Sequence, residues 1–142
     1  MSHARSLARR YAVQAIYQWQ LNKLDDQAVD QYFVPEKDRR RIDEDYFNAL
    51  VQQVVHHTAD MDDVIAPVLD RSLTTVDPVE LAILRLGVCE FINHIDVPYR
   101  VVINEGIVLA KLFGSENSHK YINGILDKLA KSLRPIENAD KK

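Results

Sequence analysis

The chain has 142 residues, of which 46% are hydrophobic and 27% are charged, and its formal net charge at pH 7 is −3. These values are typical of one globular domain with an ordinary core, and four glycines and five prolines are too few for a collagen-like or low-complexity chain. A single cysteine excludes a disulfide framework, and no apolar stretch is long enough to predict a membrane span or a signal peptide. We therefore expect a cytoplasmic protein that does not bind a membrane.

Charge is unevenly distributed along the sequence. Residues 1–24 contain four basic residues and no acid, whereas residues 60–90 contain seven acids and two arginines. Residues 111–134 are basic again, with five basic residues and two acids. This pattern is compatible with a local basic face that binds nucleic acid, beside an acidic middle that suits a basic partner. Solvated helix surfaces also carry scattered charge, so charge alone leaves both interpretations open.

The spacing of apolar residues is helical from the start of the chain. Steps of three and four predict a helix over residues 3–22, and Pro35 predicts at most a short helix before it and an exposed loop after it. Asp43 is placed to cap the next helix. A further helix is predicted over residues 61–70, with a kink at Pro67.

The clearest helix start lies in the middle of the chain. Asp77 can cap it, Pro78 suits its first position, and Glu80 stands where a capping box places a carboxylate. The following residues, 81–92, are apolar almost all round. Such a pattern is typical of a helix that is buried in the centre of a domain.

Two more helices are predicted towards the carboxyl terminus. Pro98 opens the first, although residues 101–103 taken alone also fit a strand, and Gly114 ends it. Ser115 is expected to cap the second helix. Residues 135–142 are expected to form a disordered tail.

These elements predict an all-α fold, with a single domain of about seven helices over residues 1–134. Three of the four glycines, Gly87, Gly106 and Gly124, fall inside helical patterns. Each costs about 1 kcal/mol against alanine in an exposed helix. We expect close contact between helices to offset this cost, although a tolerated loss of stability fits any one of them equally well.

Residues arranged for catalysis are missing from the sequence. His56 and His57 are adjacent, so a helix directs them about 100° apart and they cannot share a metal ion. Cys89 lies in the most apolar helix, where a thiol is usually inert. Glu80, Glu90 and Glu105 also fit acid–base chemistry, but a carboxylate in a mostly apolar helix is more often half of an ion pair. We therefore expect no enzymatic activity, no metal and no cofactor.

Two elements carry chemistry that suits nucleic acid, and the first is the opening helix. Arg5 and Arg9 are one turn apart, Arg10 lies on the neighbouring ridge, and Gln14 and Gln18 continue its line. Guanidinium groups suit phosphates, and glutamine amides suit the edges of bases. A solvated basic helix face is the other interpretation of this pattern.

The second element is the start of the last helix, residues 114–121. Unpaired amides at a helix start attract anions, Asn117 and Lys120 add donors, and Tyr121 offers a ring on which a base can stack. A capped helix start with Tyr121 packed in the core explains the same residues. We expect the two elements to converge in space and form a single RNA-binding patch.

Four motifs resemble the NusB family of bacterial transcription antitermination factors. In chain order they are residues 8–17 (ARRYAVQAIY), 82–86 (AILRL), 96–105 (DVPYRVVINE) and 118–128 (SHKYINGILDK). Their order and spacing fit the family, and the resemblance spans about residues 4–134. The sequence departs from the family at Asn117, where an acid often stands, and at Gly106 and Val108, which replace the usual alanine and glutamate.

The resemblance implies an all-helical fold of two packed bundles without catalytic activity. Members of the family bind the boxA segment of nascent ribosomal or phage RNA together with the ribosomal protein NusE. The complex joins RNA polymerase and other Nus factors and suppresses premature termination. On this basis we expect a boxA-type single-stranded RNA, NusE and the antitermination complex of RNA polymerase as partners. Some relatives self-associate, so the sequence leaves a homodimer open.

The resemblance also implies which residues make these contacts. The RNA contacts fall on six residues of the two basic elements: Arg5, Arg9, Arg10, Asn117, Lys120 and Tyr121. The NusE surface includes Tyr17 on the first helix and Glu80 at the start of the central helix.

Two other functions fit the same sequence. The NusB fold resembles the domain at the front of certain ribosomal RNA cytosine methyltransferases, and the chain fits a protein-interaction module related to that domain. It also fits a protein-interaction module with no RNA role. Binding of boxA RNA in preference to a scrambled RNA distinguishes antitermination from both.

Overall fold

The structure, a computed structural model, describes residues 3–22 and 34–139. In these ranges it contains eight α-helices, two 3₁₀ turns and no strand. The helices are α1 (His3–Leu21), α2 (Glu36–Arg39), α3 (Glu44–His56), α4 (Thr58–Ile65), α5 (Pro78–Asn93), α6 (Tyr99–Phe113), α7 (Ser118–Leu133) and α8 (Pro135–Ala139). The 3₁₀ turns are Ala66–Val68 and Leu73–Thr75. The predicted all-α fold is confirmed, and the strand alternative at residues 101–103 is wrong because α6 covers it.

α5 is the central element of the molecule. It packs against one group formed by α1, α3 and α4, and against a second group formed by α6 and α7. Every residue from Ala82 to Phe91 is buried, which confirms the predicted central helix. The fold is therefore two helical bundles that have α5 in common.

α1 runs antiparallel to α5. Near the start of α1, Arg9 contacts Glu90 in the last turn of α5. Near its end, Gln20 donates a hydrogen bond to the carbonyl of Pro78, the first residue of α5. The end of α1 consequently lies beside the beginning of α5.

α7 runs parallel to α5. Its first residue, Ser118, donates a hydrogen bond to the carboxylate of Glu80. Arg134, just after its last residue, donates to the carbonyl of Phe91 near the end of α5. The starts of α5 and α7 and the end of α1 thus meet at one end of the molecule, which we call the Glu80 end. The opposite end, where α1 begins and α5 finishes, is the Glu90 end, after the residue that contacts Arg9.

The start of α5 forms largely as its sequence predicts. The side chain of Asp77 accepts hydrogen bonds from the amides of Val79 and Glu80, and Pro78 is the first helical residue. The prediction of a capping box is wrong, because the Glu80 carboxylate instead accepts a hydrogen bond of 2.7 Å from the Ser118 hydroxyl. Glu80 therefore joins α5 to α7.

Two of the three helical glycines lie where helices approach closely. A Cβ atom on Gly87 would come within 2.7 Å of one methyl carbon of Leu126, and a Cβ on Gly106 within 2.5 Å of the other. The expectation of close contact is confirmed at these two positions, where α5 and α6 meet α7. A Cβ on Gly124 would have no neighbour within 4 Å, so close packing does not explain that glycine.

The segments around two prolines differ from the prediction. The loop expected after Pro35 is the short helix α2, and the helix expected before it falls in residues 25–33, outside the described residues. α4 begins and ends earlier than predicted, and Pro67 lies in a 3₁₀ turn and not at a kink. Proline lacks the amide hydrogen of a continuing α-helix and clashes with the preceding turn, which explains why α4 ends at Ile65.

Two further predicted caps have different outcomes. Asp43 caps α3 as predicted, since its carboxylate accepts a hydrogen bond of 3.0 Å from the amide of Tyr46. The cap predicted at Ser115 is wrong, because α7 begins at Ser118 and Asn117 occupies the cap position. The carbonyl of Ser115 accepts a hydrogen bond from the Ser118 amide in a turn that precedes the helix.

The segment predicted as a disordered tail begins with a helix. Pro135–Ala139 forms α8, and residues 140–142 lie outside the described residues. The correction follows from Arg134, whose buried guanidinium donates to the carbonyl of Phe91 and binds the carboxylate of Glu137. An arginine that satisfies carbonyls at the end of a helix stabilises that end, and here it also ties α8 to α5.

Candidate nucleic-acid interface

Arg9 is a buried connection between three helices. Its Nε donates to Glu90 at 2.8 Å and its Nη1 to Glu105 at 2.9 Å, and only 2% of its side chain is exposed. The hydroxyl of Tyr46 donates to the same Glu90 carboxylate. Arg9 thus joins α1, α5 and α6 through charge-assisted hydrogen bonds, which are stronger than bonds between neutral groups.

Burial and charge act against each other in this cluster. Loss of water raises the pKa of Glu90, although the Arg9 guanidinium acts in the opposite direction. Burial also acts to lower the pKa of Arg9, but Glu90, Tyr46 and Glu105 together act in the opposite direction and the pKa is raised. Burial, and then Glu90, raise the pKa of Tyr46. Arg9 therefore stays cationic, and its charge is balanced inside the protein and not presented at the surface.

The other two arginines of α1 are accessible. Arg5 lies over the ring of Tyr46 at 4.3 Å from its centroid and pairs with Asp96 at 3.3 Å, and 36% of its side chain is exposed. Arg10 is exposed and forms no ion pair within residues 3–22 and 34–139. The amide of Gln14 donates to the backbone carbonyl of Arg10 at 3.2 Å, which leaves the Arg10 guanidinium for other contacts.

The start of α7 lies at the Glu80 end. Asn117 and Lys120 are exposed there, and Tyr121 is half-buried. The guanidinium of Arg71 covers the Tyr121 ring, with its Cζ atom 4.7 Å from the ring centroid. The Tyr121 hydroxyl oxygen is buried and has no hydrogen-bond partner in the part of the chain that the structure describes. A base that approaches the covered face of the Tyr121 ring therefore contacts the Arg71 guanidinium and not the ring itself.

The structure separates the two basic elements. Arg9 binds Glu90, whereas the first residue of α7 binds Glu80. These two carboxylates are ten positions apart on α5, which is about 15 Å along a helix axis. The expected convergence into one compact patch is therefore wrong, since the elements lie at opposite ends of the central helix.

A polar row on α1 connects the two ends. Gln14 and Gln18 follow Arg10 at intervals of one helical turn. Both glutamines line a surface pocket together with Phe113, the last residue of α6. Because α7 begins shortly after Phe113, the row leads from the exposed Arg10 towards the start of α7.

The predicted NusE residues differ in their surroundings. The pocket between α1 and the start of α5 has a volume of about 360 Å³. It is lined by Val13, Gln14, Tyr17, Gln18, Val79, Ala82 and Phe113. Tyr17 thus borders a recess that a partner side chain can enter. Glu80 is 8% exposed and hydrogen-bonded to Ser118. It therefore mainly joins two helices and presents little surface to a partner.

Two arginines have roles that the sequence does not reveal. Arg71 and Tyr121 are fifty positions apart, and no local spacing predicts that they stack. Arg134 belongs to the basic segment near the carboxyl terminus, but it is buried and binds backbone carbonyls, so that segment presents one exposed charge fewer. Both contacts depend on how distant helices pack.

Histidine, cysteine and acidic side chains do not gather in a group of three that could hold a metal ion within the described ranges. His56 and His57 are exposed at the end of α3. Burial raises the pKa of Cys89 to about 12, so its thiol is protonated and unreactive at neutral pH. None of the described helices is long and apolar enough to cross a membrane.

Similar sequences and similar folds come from the same group of proteins. A sequence model of the NusB family matches residues 6–131. "Transcription antitermination protein NusB" of Hydrogenovibrio crunogenus is 50% identical over 135 residues, which cover 94% of this chain and 83% of that protein. The solved structure of T. maritima NusB has a TM-score of 0.79 at 30% identity, and the match covers 92% of this chain and 93% of that one. A chain in a solved complex of antitermination factors NusB and NusE with double-stranded RNA has a TM-score of 0.74 at 28% identity, covering 93% of this chain and 99% of that one.

Proposed function

This chain belongs to the NusB family, and on that premise we propose that it is an antitermination factor that binds the boxA segment of nascent RNA. It binds this RNA together with the ribosomal protein NusE. The assembly joins RNA polymerase and other Nus factors in the cytoplasm and helps the polymerase avoid premature termination in ribosomal RNA operons. The chain acts as an adaptor and not as an enzyme.

The polar row on α1 is the observation that carries this proposal. Arg10 supplies an exposed positive charge, and Gln14 and Gln18 supply amides beside it. The row leads to the exposed Asn117 and Lys120 at the start of α7. The separation of about 15 Å between the two ends corresponds to four or five nucleotides of a stacked strand at about 3.4 Å each. A short single strand that runs along α1 therefore reaches both basic elements.

The predicted RNA residues have different parts in this arrangement. Arg10 and Lys120 bind phosphates, and Asn117 donates to a base or sugar, because all three are exposed. Arg5 extends the strand's path at the Glu90 end, where it is partly exposed beside Asp96. Arg9 acts as a positioning residue, since its buried ion pairs hold α1 in place.

The partner surface lies at the pocket that Tyr17 borders. The pocket offers an apolar recess for a side chain of NusE, and Asp77, an exposed acid of the 60–90 stretch, directly precedes the part of α5 that lines it. Ribosomal proteins are commonly basic, so opposite charges favour their association with this region. A solved relative that holds NusE and RNA in one complex supports the pairing of these two partners.

Titration with RNA tests the proposal. The full chain is titrated with a short boxA RNA and with a scrambled RNA of the same composition, with and without NusE, at two salt concentrations. We expect the complex with NusE to prefer boxA RNA, and we expect its affinity to fall as salt rises. Equal affinity for the two RNAs would contradict boxA recognition, and binding of neither RNA would favour a protein-interaction module.

A further inference from the structure

Arg71 and Tyr121 form a layered arrangement at the Glu80 end. Tyr121 packs against the hydrophobic core, and the Arg71 Cζ atom lies 4.7 Å from the centroid of its ring. Of the Arg71 side chain, 46% is exposed. From the inside outwards the layers are core, tyrosine ring and guanidinium plane. The guanidinium is therefore the surface that a ligand meets at this point.

Asp70 pairs with one edge of the Arg71 guanidinium. The Arg71 Nε donates to Asp70 Oδ1 at 2.9 Å, and Nη2 lies 3.4 Å from Oδ2. The hydrogen bond from Arg71 lowers the pKa of Asp70, so the carboxylate stays ionised at neutral pH. The charge of Arg71 is thus balanced by its neighbour, while the plane of the guanidinium stays open to the solvent.

The loop that carries Arg71 is held beside α7. It lies between the two 3₁₀ turns, and the first of them, Ala66–Val68, packs against α7. Two exposed lysines of α7 lie on either side of Tyr121 in the sequence, Lys120 directly before it and Lys128 two turns later. Lysines on the helix that carries Tyr121 suit a nucleotide bound at Arg71, because the phosphates that flank its base need positive charge.

We propose that Arg71 is a stacking platform for one unpaired base of the bound RNA, with Tyr121 as the support beneath the guanidinium. Unpaired bases stack on guanidinium planes as well as on aromatic rings. A tyrosine ring below an arginine stabilises it through the attraction between a cation and a π system. This inference rests on the proposed RNA binding and replaces direct stacking of a base on Tyr121.

The balanced charge of Arg71 makes stacking distinguishable from phosphate binding. A residue that binds a phosphate releases a counterion, so its removal changes the dependence of affinity on salt. Because Asp70 neutralises Arg71, a base stacked on the plane contributes affinity with little dependence on salt. Substitution of Arg71 should therefore lower the affinity and leave the salt dependence as it was.

The test compares Arg71→Lys with the unmodified chain, each in complex with NusE. Lysine keeps the charge and removes the plane. The probes are the boxA RNA and a set of the same RNA in which one base at a time is replaced by an abasic residue. Arg100→Lys is the matched control, because Arg100 also lies over a neighbouring tyrosine, Tyr99, at 5.6 Å, but at the Glu90 end.

We expect Arg71→Lys to weaken binding of the intact boxA RNA about tenfold, within the range measured for the loss of one stacked base. Arg71→Met removes the charge as well as the plane, and its slope of log Kd against log salt should still match that of the unmodified chain. One abasic RNA should bind the unmodified chain and Arg71→Lys equally, since the base that stacks is then absent. Arg100→Lys should behave as the unmodified chain with every RNA.

Three results would overturn the platform. They are an unchanged affinity of Arg71→Lys, the same loss with every abasic RNA, and, in Arg71→Met, a salt slope that falls by about one, as loss of a phosphate contact produces. If the unmodified chain binds boxA RNA and substitution of Arg71 does not change that affinity, only this inference fails. If the unmodified chain with NusE binds no RNA, the proposed function fails and the platform fails with it.

Discussion

Arg9 and Arg10 are neighbours in the sequence and have opposite surroundings in the fold. The first is buried and paired with Glu90 and Glu105, and the second is exposed on the outer side of α1. A guanidinium in the first position contributes to the arrangement of helices, whereas one in the second can meet a phosphate. Substitutions at the two positions should therefore have different consequences, although the family resemblance gives both the same role.

Removal of Arg9 should destabilise the protein. We expect Arg9→Met to lower the free energy of unfolding by about 3–5 kcal/mol at neutral pH, because it leaves the Glu90 carboxylate buried without its cation. Urea denaturation measures the change. The double variant Arg9→Met/Glu90→Leu is the control and should recover much of the loss. A loss below about 1 kcal/mol in the single variant would contradict the role given to Arg9.

The effect of Arg9→Met should depend on pH with a definite sign. Burial raises the pKa of Glu90, and removal of Arg9 removes the main opposing charge. Between the ordinary pKa of glutamate and this raised value, the folded state holds a proton that the unfolded chain has released, so stability falls as pH rises. The variant should lose less stability at about pH 5 than at about pH 8. Urea denaturation at both pH values checks this, and a larger loss at the lower pH would contradict it.

Substitution of Arg10 should affect RNA binding and not folding. We expect Arg10→Ala to weaken binding of boxA RNA and to reduce the slope of log Kd against log salt by about one, as loss of one phosphate contact does. Lys131→Ala removes an equal charge from the last turn of α7, where Lys131 pairs with Asp127 at 3.4 Å, and should leave the slope unchanged. Equal slopes for both variants and the unmodified chain would remove Arg10 from the interface.

At the scale of elements, local signals predict the long helices and miss the short ones. The apolar stripe of α1, the cap at Asp77 and the apolar run of α5 involve residues that are close in sequence, so their periodicity and spacing are visible there. α8 and the start of α7 depend on partners far away in the chain. Arg134 ties α8 to the end of α5, and Glu80 holds Ser118. No pattern within either segment contains this information.

The helical glycines give a prediction at the same scale. We expect Gly106→Ala to destabilise the protein by about 1–3 kcal/mol, because the added methyl group would lie 2.5 Å from a Leu126 methyl carbon in a packed core. Gly124→Ala is the control and should stabilise by about 0.5–1 kcal/mol, since its new methyl group meets open space and alanine favours helix. Thermal and urea denaturation measure both, and effects of the same sign would contradict this account of the helix contacts.

At the scale of the whole molecule, the sequence predicts which residues carry useful chemistry but not where they lie relative to one another. Tyr17, Arg10, Asn117 and Lys120 are all at least partly accessible, as the proposed contacts require. Their separation along α5 and the cover over Tyr121 follow from the packing of distant helices, which one sequence does not record. The same limit explains why the expectation of a compact RNA patch failed.

Partner binding can be separated from RNA binding at this scale. We expect Tyr17→Ala to weaken association with NusE by about 2 kcal/mol, or thirtyfold, because an aromatic side chain that borders a recess is a frequent hot spot. RNA binding by the chain without NusE should change little. Ile136→Ala removes an exposed apolar side chain on α8 and should leave NusE binding intact. Isothermal titration checks both variants, and equal affinity for NusE would place the partner surface elsewhere.

Both bundles contain α5, and this affects how the chain folds while it is being translated. Synthesis proceeds from the amino terminus, so α1, α3 and α4 emerge before the helix that both bundles need. The first bundle stays without its centre until residue 93 has left the exit tunnel, and the second is complete only when α7 has followed. Native structure is therefore reached late in translation, and an incomplete nascent chain exposes apolar stripes that chaperones recognise.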